Sequence, residues 1–198
     1  MIRIDGVIRP LSWINERVLK AGRAVGIAAV AVMVAVTILQ VFCRYVLGSA
    51  LAWPDEAARF CMLWMTGLMA PTAMRRGGFV AIDILPTMLP AFAARVLNLF
   101  LLLVSLVVLV VALQIGWSEM TGLGGRFASA SLYLPLNLEF SEWYRIPRSW
   151  MMASLPVGLV LLISVGVELV LRNIAALMGH DVSLLPESEA ETGIQGVD

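Results

Sequence analysis

The chain has 198 residues, 60% of them hydrophobic and only 14% charged, with a formal net charge of zero and a mean hydropathy of +0.89. Soluble domains average about 45–50% apolar and about 25% charged residues, so the excess points to lipid as the solvent. No basic stripe with interleaved aromatics invites nucleic acid, and two cysteines with no metal or framework spacing exclude a zinc module or a disulfide scaffold.

Residues 1–23 form a basic N-terminal segment with Arg3, Arg9, Arg17, Lys20 and Arg23. Within it, 10–22 is amphipathic: Leu11, Ile14 and Val18 share one face, and Glu16, Arg17 and Lys20 supply polar positions. That pattern suits either a helix lying on anionic lipid or a plain extension of the span that follows. The first span is expected over 24–43, a charge-free run of 20 residues between Arg23 and Arg44. At 1.5 Å per residue it crosses a hydrocarbon core about 30 Å thick. An A-x-A pattern follows at Ala50-Leu51-Ala52, but the apolar run exceeds the roughly 7–15 residues of a signal peptide. The span is expected to remain as an anchor.

The next charge-free window, 60–74, holds 15 residues, about 22 Å of helix and short of the core. A second span over 54–74 must therefore borrow a charged turn. Pro54 suits the first helical position, and Asp55 and Glu56 then sit where the helix dipole favours acids. Arg59 follows them by four and three residues, so the three are expected to form a local ion-pair network. Pro71 is expected to kink the far end.

Arg75 and Arg76 with Gly77-Gly78 and Asp83 make a turn, and 82–94, broken by Pro86 and Pro90, reads as a helix lying on the membrane surface. A third span is expected over 96–118, and a fourth over 149–171 with a kink at Pro156. Near the end of the fourth, Glu168 and Arg172 stand one turn apart, which suits charged heads snorkelling to the interface. Between the last two spans, Tyr133, Trp143 and Tyr144 suggest an interfacial aromatic belt, or else a docking surface. Residues 176–198 form a polar tail.

Lysine and arginine counts set the orientation. Nine lie in the N-terminal segment, in the 75–95 connection and at Arg172, against five on the opposite side. Both termini are thus expected in the cytoplasm. The expected fold is an all-α integral membrane protein with four transmembrane helices and short interfacial amphipathic helices.

Catalytic chemistry is absent from the inventory. The only histidine, His180, lies in the tail, so no span offers a haem ligand. Cys43 and Cys61 fall at the same end of consecutive helices, as two free thiols or as a bridge. No hydrolase, zincin or phosphate-loop motif occurs. The expectation is a non-enzymatic chain without cofactor or metal that assists another protein.

The stretch Phe42-Cys43-Arg44-Tyr45-Val46, then Trp53-Pro54-Asp55-Glu56-Ala57-Ala58-Arg59-Phe60, then Trp64 and Gly67, resembles the small permease (DctQ-type) subunit of tripartite ATP-independent periplasmic (TRAP) transporters. Arg75-Arg76-Gly77-Gly78 with Asp83 resembles that family's cytoplasmic turn, with Phe79 where a histidine is common. Ile146-Pro147 and Leu155-Pro156-Val157-Gly158 resemble its entry to the fourth span. The resemblance covers residues 10–175. It implies a role in the bacterial inner membrane as a frame for the large permease (M) subunit, which takes up an organic acid with sodium from a periplasmic substrate-binding protein. It also implies that Arg44, Tyr45, Trp53, Asp55, Glu56, Arg59 and Trp64 serve a subunit interface or an interhelical network, with Arg75, Arg76 and Asp83 at the cytoplasmic turn. The partners implied are those two proteins and membrane lipids. The alternatives are an anchor subunit of a membrane oxidoreductase and a self-contained small transporter acting as a homodimer.

Overall fold

The computed structural model of the chain describes residues 5–49, 51–76, 90–135 and 143–178. The first helix, α1 (Asp5–Tyr45), is one uninterrupted rod of 41 residues that includes Pro10. Of the two readings of the N-terminal segment, extension of the span is the one observed. The apolar face expected from Leu11, Ile14 and Val18 turns outward at Ile14 and Val18. Ile14 is 51% and Val18 42% exposed, while Ile8, Asn15 and Leu19 are buried. Gly22 and Gly26 continue that buried stripe. Lipid is as apolar as leucine, so helices in lipid turn small and polar residues toward each other and large apolar ones outward.

Gly48 turns the chain after α1. It takes φ 65°, a left-handed conformation open to a residue without Cβ, and Ser49 N–H donates back to the Cys43 carbonyl at 3.1 Å. Helix α2 (Trp53–Arg75) follows, with Pro54 in its first turn, Asp55 and Glu56 beside it, and Pro71 inside an unbroken helix. The connection 77–89 lies outside the described residues, and with it Asp83 and most of the expected surface helix. Its last part, Ala91–Ala94, belongs instead to the long helix α3 (Ala91–Thr121).

After α3 come one short turn, α4 (Leu123–Arg126), and two strands, β1 (Ala128–Pro135) and β2 (Trp143–Pro147). The strands pair antiparallel, with Tyr133 opposite Arg145 and an irregularity between Ala128 and Tyr133. The expected all-α chain thus carries a β-hairpin. Aromatic and branched residues in β2 favour strand geometry, and cross-strand pairing satisfies backbone groups that a loose loop would leave open at the membrane edge. The last described elements are α5 (Ser149–Met152) and α6 (Ser154–Leu177), separated only at Ala153, and most of the polar tail expected over 176–198 lies outside the described residues. Pro156 accounts for the interruption, because its ring clashes with the Met152 carbonyl and offers no N–H to it.

Among the described residues, three helices are long and apolar enough to cross a membrane: Ile8–Tyr45, Phe92–Thr121 and Ser149–Leu177. Helix α2 packs beside them. Gly22 of α1 lies against Leu68 and Ser12 accepts from Arg75, so α1 and α2 run antiparallel. Gly67 meets Gly158 and Arg75 meets Glu168, so α2 and α6 run parallel. Gly116 packs on Leu155 and Arg95 reaches the Ala176 carbonyl at 3.2 Å, so α3 and α6 run antiparallel.

The four helices form an open row, α1–α2–α6–α3, rather than a closed bundle; α1 touches α6 only lightly. The tightest crossing lies between α2 and α6. A Cβ on Gly158 would stand 2.7 Å from the Gly67 carbonyl oxygen and 2.8 Å from its Cα. Close backbone approach of this kind is how helices gain dispersion contacts in lipid. A small apolar core of Leu19, Met74, Val165 and Leu169 lies further along the same seam. No residue in the most apolar stretch of α3, by contrast, is buried.

Candidate functional site

One end of the row holds a buried polar cluster that the sequence did not reveal. Glu168 on α6 is 0% exposed, about 28 Å along the helix from Ser149 at 1.5 Å per residue. Its Oε1 accepts from Arg172 Nη2 at 2.9 Å and Nε at 3.2 Å, and from Arg75 Nη2 of α2 at 3.2 Å. Its Oε2 accepts from Asn15 Nδ2 of α1 at 2.8 Å. Asn15 Oδ1 in turn accepts from Ser164 Oγ at 2.6 Å. Ser12 Oγ accepts from Arg75 Nη2 at 2.9 Å and Arg172 Nη2 at 3.0 Å.

This arrangement corrects the snorkelling pair expected for Glu168 and Arg172. The i, i+4 spacing is real, but the carboxylate turns inward because α1 and α2 bring two more donors to it, Asn15 Nδ2 and Arg75 Nη2. A buried charge survives only when paired and hydrogen-bonded, and the low dielectric strengthens each of those bonds. Three helices therefore meet on one carboxylate. Asn173, 1% exposed, sits beside Arg172 with both amide atoms unpaired, and nothing in the described residues accounts for it.

The opposite end carries the turn that drew most attention in the sequence. Glu56 does not pair with Arg59, and neither does Asp55, among the described residues. Instead Glu56 turns to the hairpin. Its Oε1 accepts from Ala130 N at 3.1 Å, and its Oε2 from Ser131 N and Ser131 Oγ, both at 2.6 Å. Ser131 Oγ also approaches the Ala52 carbonyl at 3.1 Å. The expected ion-pair network is thus replaced by a clamp between α2 and β1. The reason is energetic: an exposed ion pair contributes about 0.2–1 kcal/mol, whereas charge-assisted bonds to backbone amides are roughly twice as strong as neutral ones.

Of the remaining sequence-selected residues, Arg44, Tyr45, Trp53 and Trp64 fall at the clamp end of the row. Trp64 donates from Nε1 to the Trp150 carbonyl at 3.1 Å and tilts against Phe60, ring centroids 6.3 Å apart. Trp53 is 38% and Tyr45 77% exposed, and the Arg44 guanidinium lies over the Tyr45 ring at 5.9 Å. Arg44 and Tyr45 therefore join neither Asp55 nor Glu56. Arg75 belongs to the buried cluster at the other end, Arg76 is exposed at the helix terminus, and Asp83 lies outside the described residues. Cys43 and Cys61 are both free. The antiparallel register puts Cys43 level with the start of α2, and Cys61 lies about 12 Å further in.

Chemically, both clusters tie elements together. Each carboxylate is engaged by several donors, and among the described residues no group of His, Cys, Asp or Glu is placed to hold a metal. The geometry defines a multi-pass membrane protein whose polar side chains lock its own helices. The chain belongs to the family of tripartite ATP-independent periplasmic transporters, DctQ component, which it matches over residues 33–176. It is therefore a component of a transporter complex, associated with the other members of a tripartite system. The match starts beyond Ser12 and Asn15, so the α1 contribution to the buried cluster lies outside it, while Arg75, Glu168 and Arg172 lie within. Comparison with curated proteins gives no match.

Proposed function

We propose that this chain is the stationary small subunit of its transporter, a frame on which the large permease subunit moves an organic acid into the cell with sodium. A periplasmic substrate-binding protein delivers the solute. In this reading α2 is a fourth span, its 23 residues long enough at about 34 Å to cross the core. The arginine-rich end that holds Arg75, Arg95 and Arg172 faces the cytoplasm of a bacterial inner membrane, as the positive-inside rule requires. The hairpin end then faces the periplasm and offers surface to the binding protein. Trp53, Asp55 and Arg59, exposed at that end, stand where a subunit contact can use them.

The observation that carries the reading is the open row. Helix α3 is apolar along its central stretch yet buries no residue there, and α1 buries few, which suits a frame completed by a larger partner. A self-contained transporter would need a titratable group free to change charge inside the span. Glu168 is held by two arginines and an asparagine, which argues for a lock. Two measurements test the proposal. Purification from native membranes should bring down a large multi-span protein and a periplasmic solute receptor. The chain reconstituted alone should transport nothing, and solute uptake by it in liposomes would overturn the proposal.

A further inference from the structure

At the hairpin end, α2, α3, β1 and the start of α5–α6 enclose a cleft of about 570 Å³. This falls within the roughly 300–1,000 Å³ of small-ligand sites. Its walls are mostly apolar, with Leu63, Met152 and Leu155 among them, and Arg59, Arg148 and Glu119 reach it from three different elements. Neither guanidinium has an ion-pair partner among the described residues, and neither does Glu119. Glu56 also lines the cleft, but its oxygens are taken by β1. Counting Glu56, the site carries two positive and two negative charges, of which three remain open to a ligand.

Depth decides what that ligand is. Arg59 lies in the second turn of α2 and Arg148 immediately precedes α5, so both stand where the membrane row meets water. Leu63 and Leu155 are 39% and 54% exposed, so the apolar wall runs out onto the lipid-facing surface of the helices. A ligand here must be anionic at its head, carry a positive charge close by, and continue into hydrocarbon. We propose that the cleft holds the headgroup of a zwitterionic aminophospholipid from the leaflet on the hairpin side. Its phosphate lies with Arg59 and Arg148, whose planar guanidinium groups suit phosphate oxygens. Its ammonium lies toward Glu119, and its acyl chains run along Leu63 and Leu155. The lipid fills the gap between α2, α3 and the hairpin, which the open row of helices leaves unpacked.

The test uses the full-length chain in nanodiscs of equal parts phosphatidylethanolamine and phosphatidylglycerol, followed by detergent extraction and native mass spectrometry. The wild-type chain should retain phosphatidylethanolamine preferentially. Joint Arg59→Ala and Arg148→Ala replacement should cut the retained lipid by about ten-fold or more, equivalent to about 1.4 kcal/mol. Arg126→Ala, outside the cleft, should leave it unchanged. Glu119→Gln alters an exposed residue and leaves the fold intact; it should abolish the preference for phosphatidylethanolamine while lipid is still bound. Equal retention by the double variant, or no preference in the wild type, would overturn the proposal. So would displacement of the lipid by soluble phosphoethanolamine, which would mark a free-solute site. A photo-crosslinker at Leu155 should capture lipid in native membranes; capture of a polypeptide would assign the cleft to a protein partner and sink the lipid reading.

Discussion

The two ends of the helix row each organise around one glutamate, and they do so by opposite means. Glu168 is withdrawn from solvent altogether and meets side chains from three helices, two of them cationic. Glu56 stays partly accessible and meets the backbone N–H groups and one hydroxyl of a single strand. The first arrangement is cooperative and unforgiving, because each member is desolvated and depends on the rest. The second is local, since water can replace the strand if it leaves. The same residue type therefore fixes helix against helix at one end and docks a hairpin at the other.

Glu168→Ala is the sharpest way to break this contrast. It strands two buried guanidinium groups and should cost about 3–5 kcal/mol, read as loss of folded protein in detergent or a large drop in thermal unfolding temperature. Replacing Glu168, Arg75 and Arg172 together with methionine should recover most of that loss. A triple variant as unstable as the single one would show that the charges contribute more than mutual satisfaction.

Gly158→Ala probes the crossing that keeps the two ends in one frame. The added methyl meets backbone of α2 and should cost about 1–3 kcal/mol by overpacking; an unchanged melting curve would mean the helices separate at no cost. Glu56→Ala should cost about 1 kcal/mol or less globally, yet make β1 exchange amide hydrogens and admit protease much faster. Equal protection in hydrogen exchange would show that the hairpin is held by something other than this carboxylate. Asp55→Ala and Arg59→Ala should each change stability by less than about 0.5 kcal/mol, as surface substitutions do, and by similar amounts, since neither pairs with the other. A clearly larger loss for Arg59→Ala would restore the ion-pair network.

Much of the helical frame is written in composition, because charge-free runs of lipid length admit few other structures. The Pro54-Asp55-Glu56 start of α2 was readable for the same local reasons of helix termini. The clamp of Glu56 on Ser131 was not, since it joins residues 75 apart in sequence and the neighbouring Arg59 offered a nearer partner. The buried cluster was hidden differently. Asn15 stands four residues before Leu19 and eleven before Gly26, on the stripe of α1 that faces α2 and α6. Leu11, Ile14 and Val18 form a separate apolar stripe, on which Ile14 and Val18 are exposed. Read by the rule for lipid, a polar residue in line with glycines marks the packed face, and that signal was available.

The spatial order of the row differs from the order of synthesis. Helix α6, made last, is inserted between α2 and α3, and α3 packs along no other long helix among the described residues. As the chain emerges, α1 and α2 can pair at once, but α3 must reside in lipid with no neighbour until α6 arrives. Its composition fits that interval: from Leu99 to Val111 every residue except Ser105 is apolar, so it is stable as a solitary helix before any tertiary contact forms. Once α6 lies between α2 and α3, the glycine crossing can close and Glu168 can meet Arg75 and Asn15. Assembly of this subunit therefore waits on its C-terminal third, and truncations there should leave α3 inserted but adrift.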